Sequence, residues 1–389
     1  MPDYTARPLS FKAKKALRYT RMYGVRRTLS IIRGQYNMKR TYATPPAIPP
    51  ISASSQKHVG LIGCGIFGFG VVGYYMEKNH AGSIRAVLDT DVNRAASFYQ
   101  RYGLDYYTTD PDKFFADPDI DLIYIASDHL SHAEYAIRAL ELGKAVHIEK
   151  PHVVTVDQLR RLCATMVRTN GKVRLGYNRP RSPLGRIVKD KLAAQSGTAM
   201  MNWSVAGAPL PPDHWYYKPE EGGRVVGNMC HYIDFIYQMS PPEKRFPLVI
   251  QPTKWDRPDE NVAVTLLFGD GSLGIISFST KGEPFEGDKE RFSAHRSDCL
   301  IAMDDFHRLV IEQGTSKRVI TPFFRDHGHD ANMRESYAMV RPKGGESSGA
   351  DVSYIWETGI VMLGVKEALD KGETVRIEKG WDPSHIAGV

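Results

Sequence analysis

Four cysteines in 389 residues are too few for a disulfide framework. They are Cys64, Cys163, Cys230 and Cys299, and none forms a CxxC pair. That spacing excludes a paired-cysteine zinc site and suits a reducing, cytoplasmic setting. Long apolar runs are also missing. None approaches the roughly 18 residues that span a bilayer, so no transmembrane helix is expected. There is no internal repeat and no long low-complexity stretch. Acids are scarce in one place only. Residues 1–55 hold eleven Lys or Arg against one acid, Asp3, while the rest of the chain holds 40 basic and 43 acidic residues. The net charge of +7 therefore belongs to an N-terminal arm and gives the body no nucleic-acid character. The remaining composition, 42% hydrophobic and 24% charged, is ordinary and sufficient for two domains with a large core.

The arm interleaves Phe11, Leu17 and Tyr19 with Lys12, Lys14, Lys15 and Arg18, and a second helical stretch runs from Arg26 to a stop at Gly34. Three readings fit this composition. The arm packs on its own domain or on a neighbouring subunit; it touches anionic lipid or a large anionic substrate; or it is an Arg-rich targeting peptide. Its tyrosines, among them Tyr4, Tyr23, Tyr36 and Tyr42, resemble packing anchors. The prolines of 45–50 and the serines of 52–55 read as a stiff linker that closes a first segment, 1–55.

The most informative stretch follows. An apolar run ends at Ile62 and meets Gly63-Cys64-Gly65-Ile66-Phe67-Gly68, after which the pattern is helical. GxGxxG between a strand and a helix is the spacing of a dinucleotide-binding turn. One glycine allows the turn, one lets backbone approach a pyrophosphate, and one packs the helix on its strand. The helix N-terminus then faces the phosphates. About twenty residues on, a second strand ends in Asp89, where a carboxylate can accept hydrogen bonds from a ribose. Asp89 would repel a 2′-phosphate, which favours NAD over NADP, although Arg94 could offset it and Arg85 is also near in sequence. Strands and helices alternate to residue 150, predicting a doubly wound parallel sheet within a 56–176 domain. Its ligand rim, at the carboxyl ends of the strands, would carry the 63–68 turn, Asp89, Ser127, His129, Glu149 and Lys150.

From about 176 strands dominate, at 198–205, 247–253, 261–268, 272–279, 298–303, 307–312 and 317–321. They predict a second domain, 177–389, built on one large, mostly antiparallel open sheet. Helices would cover one face, and the other could pair with a second subunit, giving a dimer or tetramer. Residues 352–371 read as a helix whose stripe of Ile355, Met362, Val365 and Leu369 is core, and this C-terminal helix could pack back on the first domain.

Lys150 lies at a strand end beside Pro151, placed to hydrogen-bond a reacting oxygen and stabilise alkoxide character. In Gly222-Gly223-Arg224-Val225-Val226-Gly227-Asn228-Met229-Cys230-His231-Tyr232-Ile233-Asp234, His231 and Asp234 share a helical face. His231 is a candidate for the hydroxyl proton; Asp234 could orient its ring or anchor the helix. Asn178 and Arg179 could hydrogen-bond a sugar hydroxyl or carboxylate, and Trp215 in His214-Trp215-Tyr216-Tyr217 could stack on a sugar face or serve the core. Asp326, His327, His329 and Asp330 are metal-like in type. They read better as an exposed polar loop, so no metal is expected.

With those residues in view, the chain resembles the glucose–fructose oxidoreductase / inositol dehydrogenase (Gfo/Idh/MocA) family from about 57 to 375. The resemblance rests on the GCGIFG turn, Asp89, ASDHLSH at 126–132, Glu149-Lys150-Pro151, GYNRP at 176–180 and GGRVVGNMCHYID at 222–234. It implies a Rossmann domain followed by an α/β domain with an open sheet, and NAD(P)-dependent chemistry on sugars or polyols. It implies cofactor contacts at Gly63, Gly65, Ile66, Phe67, Gly68, Asp89, Ser127, His129, His132, Glu149 and Lys150. It carries the lysine role to Lys150 and proton transfer to His231, with Asn178, Arg179, Trp215 and Asn228 toward substrate. Three departures stand out. Gly227 occupies the position, four before the histidine, where many members carry an acid, so Asp234 or Asn228 would have to substitute. His129 stands where asparagine is common, and Pro180-Arg181 replaces a more usual Arg-aromatic pair. The GGRVVGN form is closer to members of surface-polysaccharide and nucleotide-sugar metabolism. The expectation is thus a cytoplasmic, homo-oligomeric oxidoreductase with a small-molecule sugar or nucleotide-sugar substrate. The alternatives are a non-enzymatic dinucleotide-binding sensor, and a lyase or glycosidase-like enzyme that recycles tightly held NAD.

Overall fold

A computed structural model describes residues 4–51, 56–253, 261–282, 285–342 and 349–389. The serines at 52–55, assigned above to a linker, lie outside the described residues. The first sheet contains β1 (Val59–Ile62), β2 (Ile84–Leu88), β3 (Tyr106–Thr108), β4 (Leu122–Ile125), β5 (Ala145–Ile148) and β6 (Val173–Leu175). They are all parallel, in the order β3-β2-β1-β4-β5-β6. β1, β2, β4 and β5 are buried at every position, as expected of strands covered by helices on both faces. The order reverses between β1 and β4, so the crevice for a ligand opens at the carboxyl ends of those two strands.

Helices flank this sheet: α3 (Gly73–Asn79), α4 (Val92–Tyr102), α5 (Pro111–Phe115), α6 (His129–Glu141) and α7 (Val156–Thr169). Their ends follow local chemistry. The Asp91 carboxylate accepts from the Asn93 N–H at the start of α4, and Gly103 closes it in the left-handed conformation. The helical stretch that follows the 63–68 turn carries a π-helical turn, Gly68–Val72, before α3.

The second sheet has nine strands: β7 (Ala199–Ala206), β8 (Leu248–Pro252), β9 (Asn261–Leu267), β10 (Leu273–Ser279), β11 (Lys289–Arg296), β12 (Cys299–Asp304), β13 (Arg308–Gln313), β14 (Ser316–Ile320) and β15 (Val375–Ile377). The order is β14-β13-β12-β11-β7-β10-β9-β8-β15, antiparallel except that β7 and β10 run parallel. The fold is therefore α/β, a Rossmann-type sheet followed by a mostly antiparallel open sheet. Helices α8 (Pro183–Ala193), α9 (Cys230–Met239) and α11 (Val352–Lys371) cover one face. The other face exposes Met200, Leu267 and Leu300. α11 belongs to both cores. Ile355, Trp356 and Met362 pack with the parallel sheet, whereas Val361, Val365 and Leu369 pack with the antiparallel one. α10 (His329–Tyr337) ties the second half to the first: Tyr337 Oη and the His58 ring lie 3.0 Å apart, and Met333 joins the core of the parallel sheet.

The arm packs on its own chain as two helices, α1 (Leu9–Tyr23) and α2 (Val25–Asn37), hinged at Gly24 with φ of 80°. Lys15 is 8% exposed and donates to the Phe285 carbonyl at 2.5 Å. Tyr23 receives the Arg325 guanidinium, and Arg27 donates to the Gly70 carbonyl.

Candidate active site

A cleft of about 1830 Å³ lies between the two sheets and under the arm. Its dinucleotide end is the 63–68 turn. Gly63 has φ of 93°, and a Cβ there would stand 2.4 Å from the Ala126 carbonyl oxygen. A Cβ on Gly68 would stand 2.0 Å from the Gly63 oxygen, whereas one on Gly65 would meet nothing within 4 Å. The turn is thus closed against the sheet at its first and third glycines and open to the cleft at its second, the shape a pyrophosphate requires. Ile66 and Phe67 line the same end. The Asp89 carboxylate accepts from the Cys64 N–H at 2.6 Å and the Asp91 N–H at 2.8 Å. Burial raises its pKa, and those hydrogen bonds oppose the rise. Arg85 is turned away, held by Asp117 at 2.7 Å, Asp119 at 2.9 Å and Asp105 at 3.0 Å. Arg94 lines the cleft and pairs with Asp91 at 3.2 Å.

The strand ends after β4 and β5 supply the next group. His129 donates its backbone N–H to Glu221 at 2.8 Å, and its Nδ1 lies 2.8 Å from the Glu221 carbonyl oxygen. His132 Nδ1 lies 2.7 Å from the Pro151 carbonyl oxygen, and the Ser127 and Ser131 hydroxyls are 2.7 Å apart. Glu149 is braced at 3.0 Å by His147, whose other nitrogen meets Ser336. Ser127, His129, His132, Glu149 and Lys150 all line the cleft. Lys150 donates to the Gly227 carbonyl oxygen at 2.7 Å. Burial opposes its charge, but Tyr216, Cys230 and Glu149 outweigh that cost and hold the pKa above the usual lysine value. Lys150 is therefore a charged donor.

His231 comes from the first turn of α9 and is buried at the cleft wall. Burial, reinforced by Arg179 and Lys150, pushes its pKa well below the ordinary histidine value, so the ring is neutral. Its Nδ1 has no hydrogen-bond partner in the structure. Asp234 does not reach it. That carboxylate accepts from Tyr354 at 2.7 Å and from Gln238 at 3.0 and 3.1 Å, fastening α9 to α11. Asp234 lies outside the cleft lining, so of its two expected roles the ring-orienting one is corrected and the helix anchor holds.

The substrate side departs further from expectation. Arg179 lines the cleft and forms an ion pair with Glu290, which also accepts from the Tyr232 hydroxyl at 2.8 Å. Asn178 is fully buried and outside the lining. Its amide donates to the His327 carbonyl at 2.7 Å, so it holds the 325–330 loop instead of facing substrate. That loop is not an exposed polar one. His327 and His329 line the cleft, and burial keeps both pKa values well below the ordinary one. Asp330 is spent on Lys78 and on Asn79 at 2.7 Å. No cluster of metal-ligating side chains occurs among the described residues. Asn228 and Trp215 line the cleft as expected, with the Trp215 ring 4.6 Å from that of His129. Glu290 was missed because the buried face of β11 mixes Glu290 and Arg296 with Phe292 and Ala294, which hides its period, and Asp288 lies just before that strand. The paired histidines at 327 and 329 were the one visible signal.

A family model described as an oxidoreductase family with an NAD-binding Rossmann fold matches residues 57–177. An oxidoreductase of Formosa agariphila is 30% identical over 36% of this chain and 43% of its own length. Inositol 2-dehydrogenase of Ralstonia nicotianae is 27% identical over 50% of this chain and 58% of its own length. The chain thus spans about half the length of these curated relatives. Levoglucosan dehydrogenase, solved with NADH and levoglucosan, superposes with a TM-score of 0.71 at 18% identity, covering 83% of this chain and 99% of that one. The Rossmann match and the relatives agree with the motifs at 63–68 and 149–151: over residues 57–177 the chain is similar to the NAD-binding Rossmann part of the Gfo/Idh/MocA oxidoreductases, and the solved structure shares its two-sheet fold.

Proposed function

We propose that this protein is an NAD-dependent oxidoreductase acting between a secondary hydroxyl and a ketone of a sugar or polyol. The observation that carries the reading is Lys150, a charged donor at the end of β5. It lies in the same cleft as the open face of Gly65 and the neutral ring of His231. NAD, held by the 63–68 turn and Asp89, supplies the hydride acceptor or donor. An ammonium has three N–H groups, and Gly227 takes one, leaving two for the reacting oxygen. Those donors stabilise negative charge on that oxygen. Neutral His231 is in the form that accepts a hydroxyl proton. Arg179 with Glu290 offers donors and an acceptor to neighbouring hydroxyls, and Trp215 offers a flat apolar face.

Within that class a nucleotide-sugar, as in surface-polysaccharide metabolism, is the narrower reading, supported by the GGRVVGN form at 222–228. The exposed sheet face at Met200, Leu267 and Leu300 supports self-association, which sedimentation of the purified chain would test. Four free, buried cysteines support a reducing compartment such as the cytoplasm.

Lys150→Met tests the assignment. Turnover with an oxidisable sugar or polyol should fall by roughly two or more orders of magnitude, with NADH affinity nearly unchanged. Near-normal turnover would remove Lys150 from the reaction.

A further inference from the structure

Residues 4–38 precede the segment matched by the family model, yet they supply part of the cleft wall. The arm is fastened at four places. Toward the second sheet, Arg325 donates its backbone N–H to the Met22 carbonyl at 2.8 Å and its Nε–H to the Tyr23 hydroxyl at 2.8 Å. The Lys15 ammonium sits within 4.0 Å of the Tyr4 ring centroid, 4.7 Å of Tyr19 and 4.9 Å of Phe285, while hydrogen-bonding the Phe285 carbonyl. Toward the first sheet, Arg27 and the Ser30 hydroxyl both donate to the Gly70 carbonyl, in the first turn after the 63–68 loop. Beyond α2, the Tyr42 N–H donates to Asn93 at 2.9 Å, on the helix that follows Asp89.

Between these fastenings α2 crosses the dinucleotide end of the cleft. Thr28, Ile31, Gln35 and Met38 line the same space as Gly65 and Asp89. Gly34 packs close to the loop, where a Cβ would stand 3.8 Å from Gly70 Cα and 3.9 Å from the Ile66 carbonyl oxygen. Lys12, Lys15 and Arg27 bring positive charge to a cleft whose ligand carries two phosphates.

Resting on the dinucleotide reading above, we propose that the arm is a third wall of the cofactor site. α2 covers the adenosine diphosphate part of NAD, and the cofactor exchanges only when the arm lifts. The arm bridges both sheets, so lifting it breaks several buried polar contacts at once. Cofactor release is then slower than a two-walled cleft would allow.

The test is NADH release, followed by stopped-flow fluorescence on the full chain and on a Lys15→Met, Tyr23→Phe double variant that loosens the arm without touching the 63–68 turn. Hydrogen exchange of α2 with and without NAD is the second readout. The wall predicts release at least about tenfold faster in the variant, and slower exchange of α2 amides when NAD is bound to the wild type. Unchanged release from a variant whose arm exchanges faster overturns the wall and leaves the dinucleotide reading intact. A wild-type chain that binds neither NADH nor NAD overturns both.

Discussion

The Lys150 ammonium and the Gly227 carbonyl oxygen are 2.7 Å apart, so the cation of the site rests on backbone one turn before His231. The same residue leaves no room for a side chain. A Cβ at 227 would stand 2.6 Å from Tyr216 Cε2 and 2.7 Å from His129 Cε1. The space that an acid would fill at this position is occupied by two rings, which packs His129 and Tyr216 against the lysine. Gly227→Asp should destabilise the fold by about 1–3 kcal/mol through overpacking. Adding Tyr216→Ala should recover much of that loss, as read by denaturant midpoints of the single and double variants.

Asp234 and His231 share α9 but serve different purposes. Burial raises the Asp234 pKa to about 6, with the Tyr354 and Gln238 hydrogen bonds opposing the rise. A carboxyl whose folded pKa lies above its unfolded one contributes most when protonated. Its contribution is full below about 4 and is lost as pH rises through about 6. Asp234→Asn should therefore gain relative stability between pH 4 and 6, on the order of 2 kcal/mol. Its turnover should stay within about threefold of the wild type, because the group holds a helix and meets no substrate. Denaturation midpoints at several pH values, beside turnover, separate this from a proton-relay role.

His231 is neutral because burial comes first and the cations Arg179 and Lys150 add to it. The proton-accepting form then persists to acid pH. The acid limb of kcat/KM for sugar oxidation should fall below pH 6, and His231→Asn should lower turnover sharply at every pH. A limb near 6.5 that disappears in the variant would contradict the burial argument.

Glu290 neutralises Arg179 inside the cleft, and its second oxygen has no hydrogen-bond partner. Glu290→Gln leaves a buried guanidinium without its counter-charge, a cost on the order of 3 kcal/mol. KM for the sugar should rise about tenfold or more while NADH affinity holds, if the proposed function places substrate beside this pair. Equal losses in sugar and NADH binding would point to general unfolding.

Asp89 is buried at the end of β2, with Arg85 committed to three other carboxylates. NADH should bind more tightly than NADPH by about tenfold or more, because a 2′-phosphate would meet this carboxylate. Asp89→Asn should narrow that gap, as fluorescence titration with the two cofactors would show.

The parallel sheet was legible because its signals are local. Apolar strands, a GxGxxG turn and amphipathic helices each announce themselves within a dozen residues. The same holds for Lys150, whose strand-end setting is written in Ala145 to Pro151. β11 was not legible, because charged residues occupy its buried positions: Glu290 and Arg296 are paired or bonded inside, which only their partners explain. Asp234 was left between ring-orienting and anchoring roles for a related reason. Helical spacing put it on the face of His231, but its partner Tyr354 lies 120 residues away.

By itself, then, the sequence determined the fold class, the dinucleotide turn and the lysine at the end of β5, since these depend on backbone conformation and periodicity over short spans. The tertiary structure decided what completes the cleft: Glu290 beside Arg179, His327 and His329 turned inward, and the arm laid across the 63–68 loop. Those are pairings between distant segments. Their sign depends on which buried charge or donor meets which, and no short-range pattern encodes that.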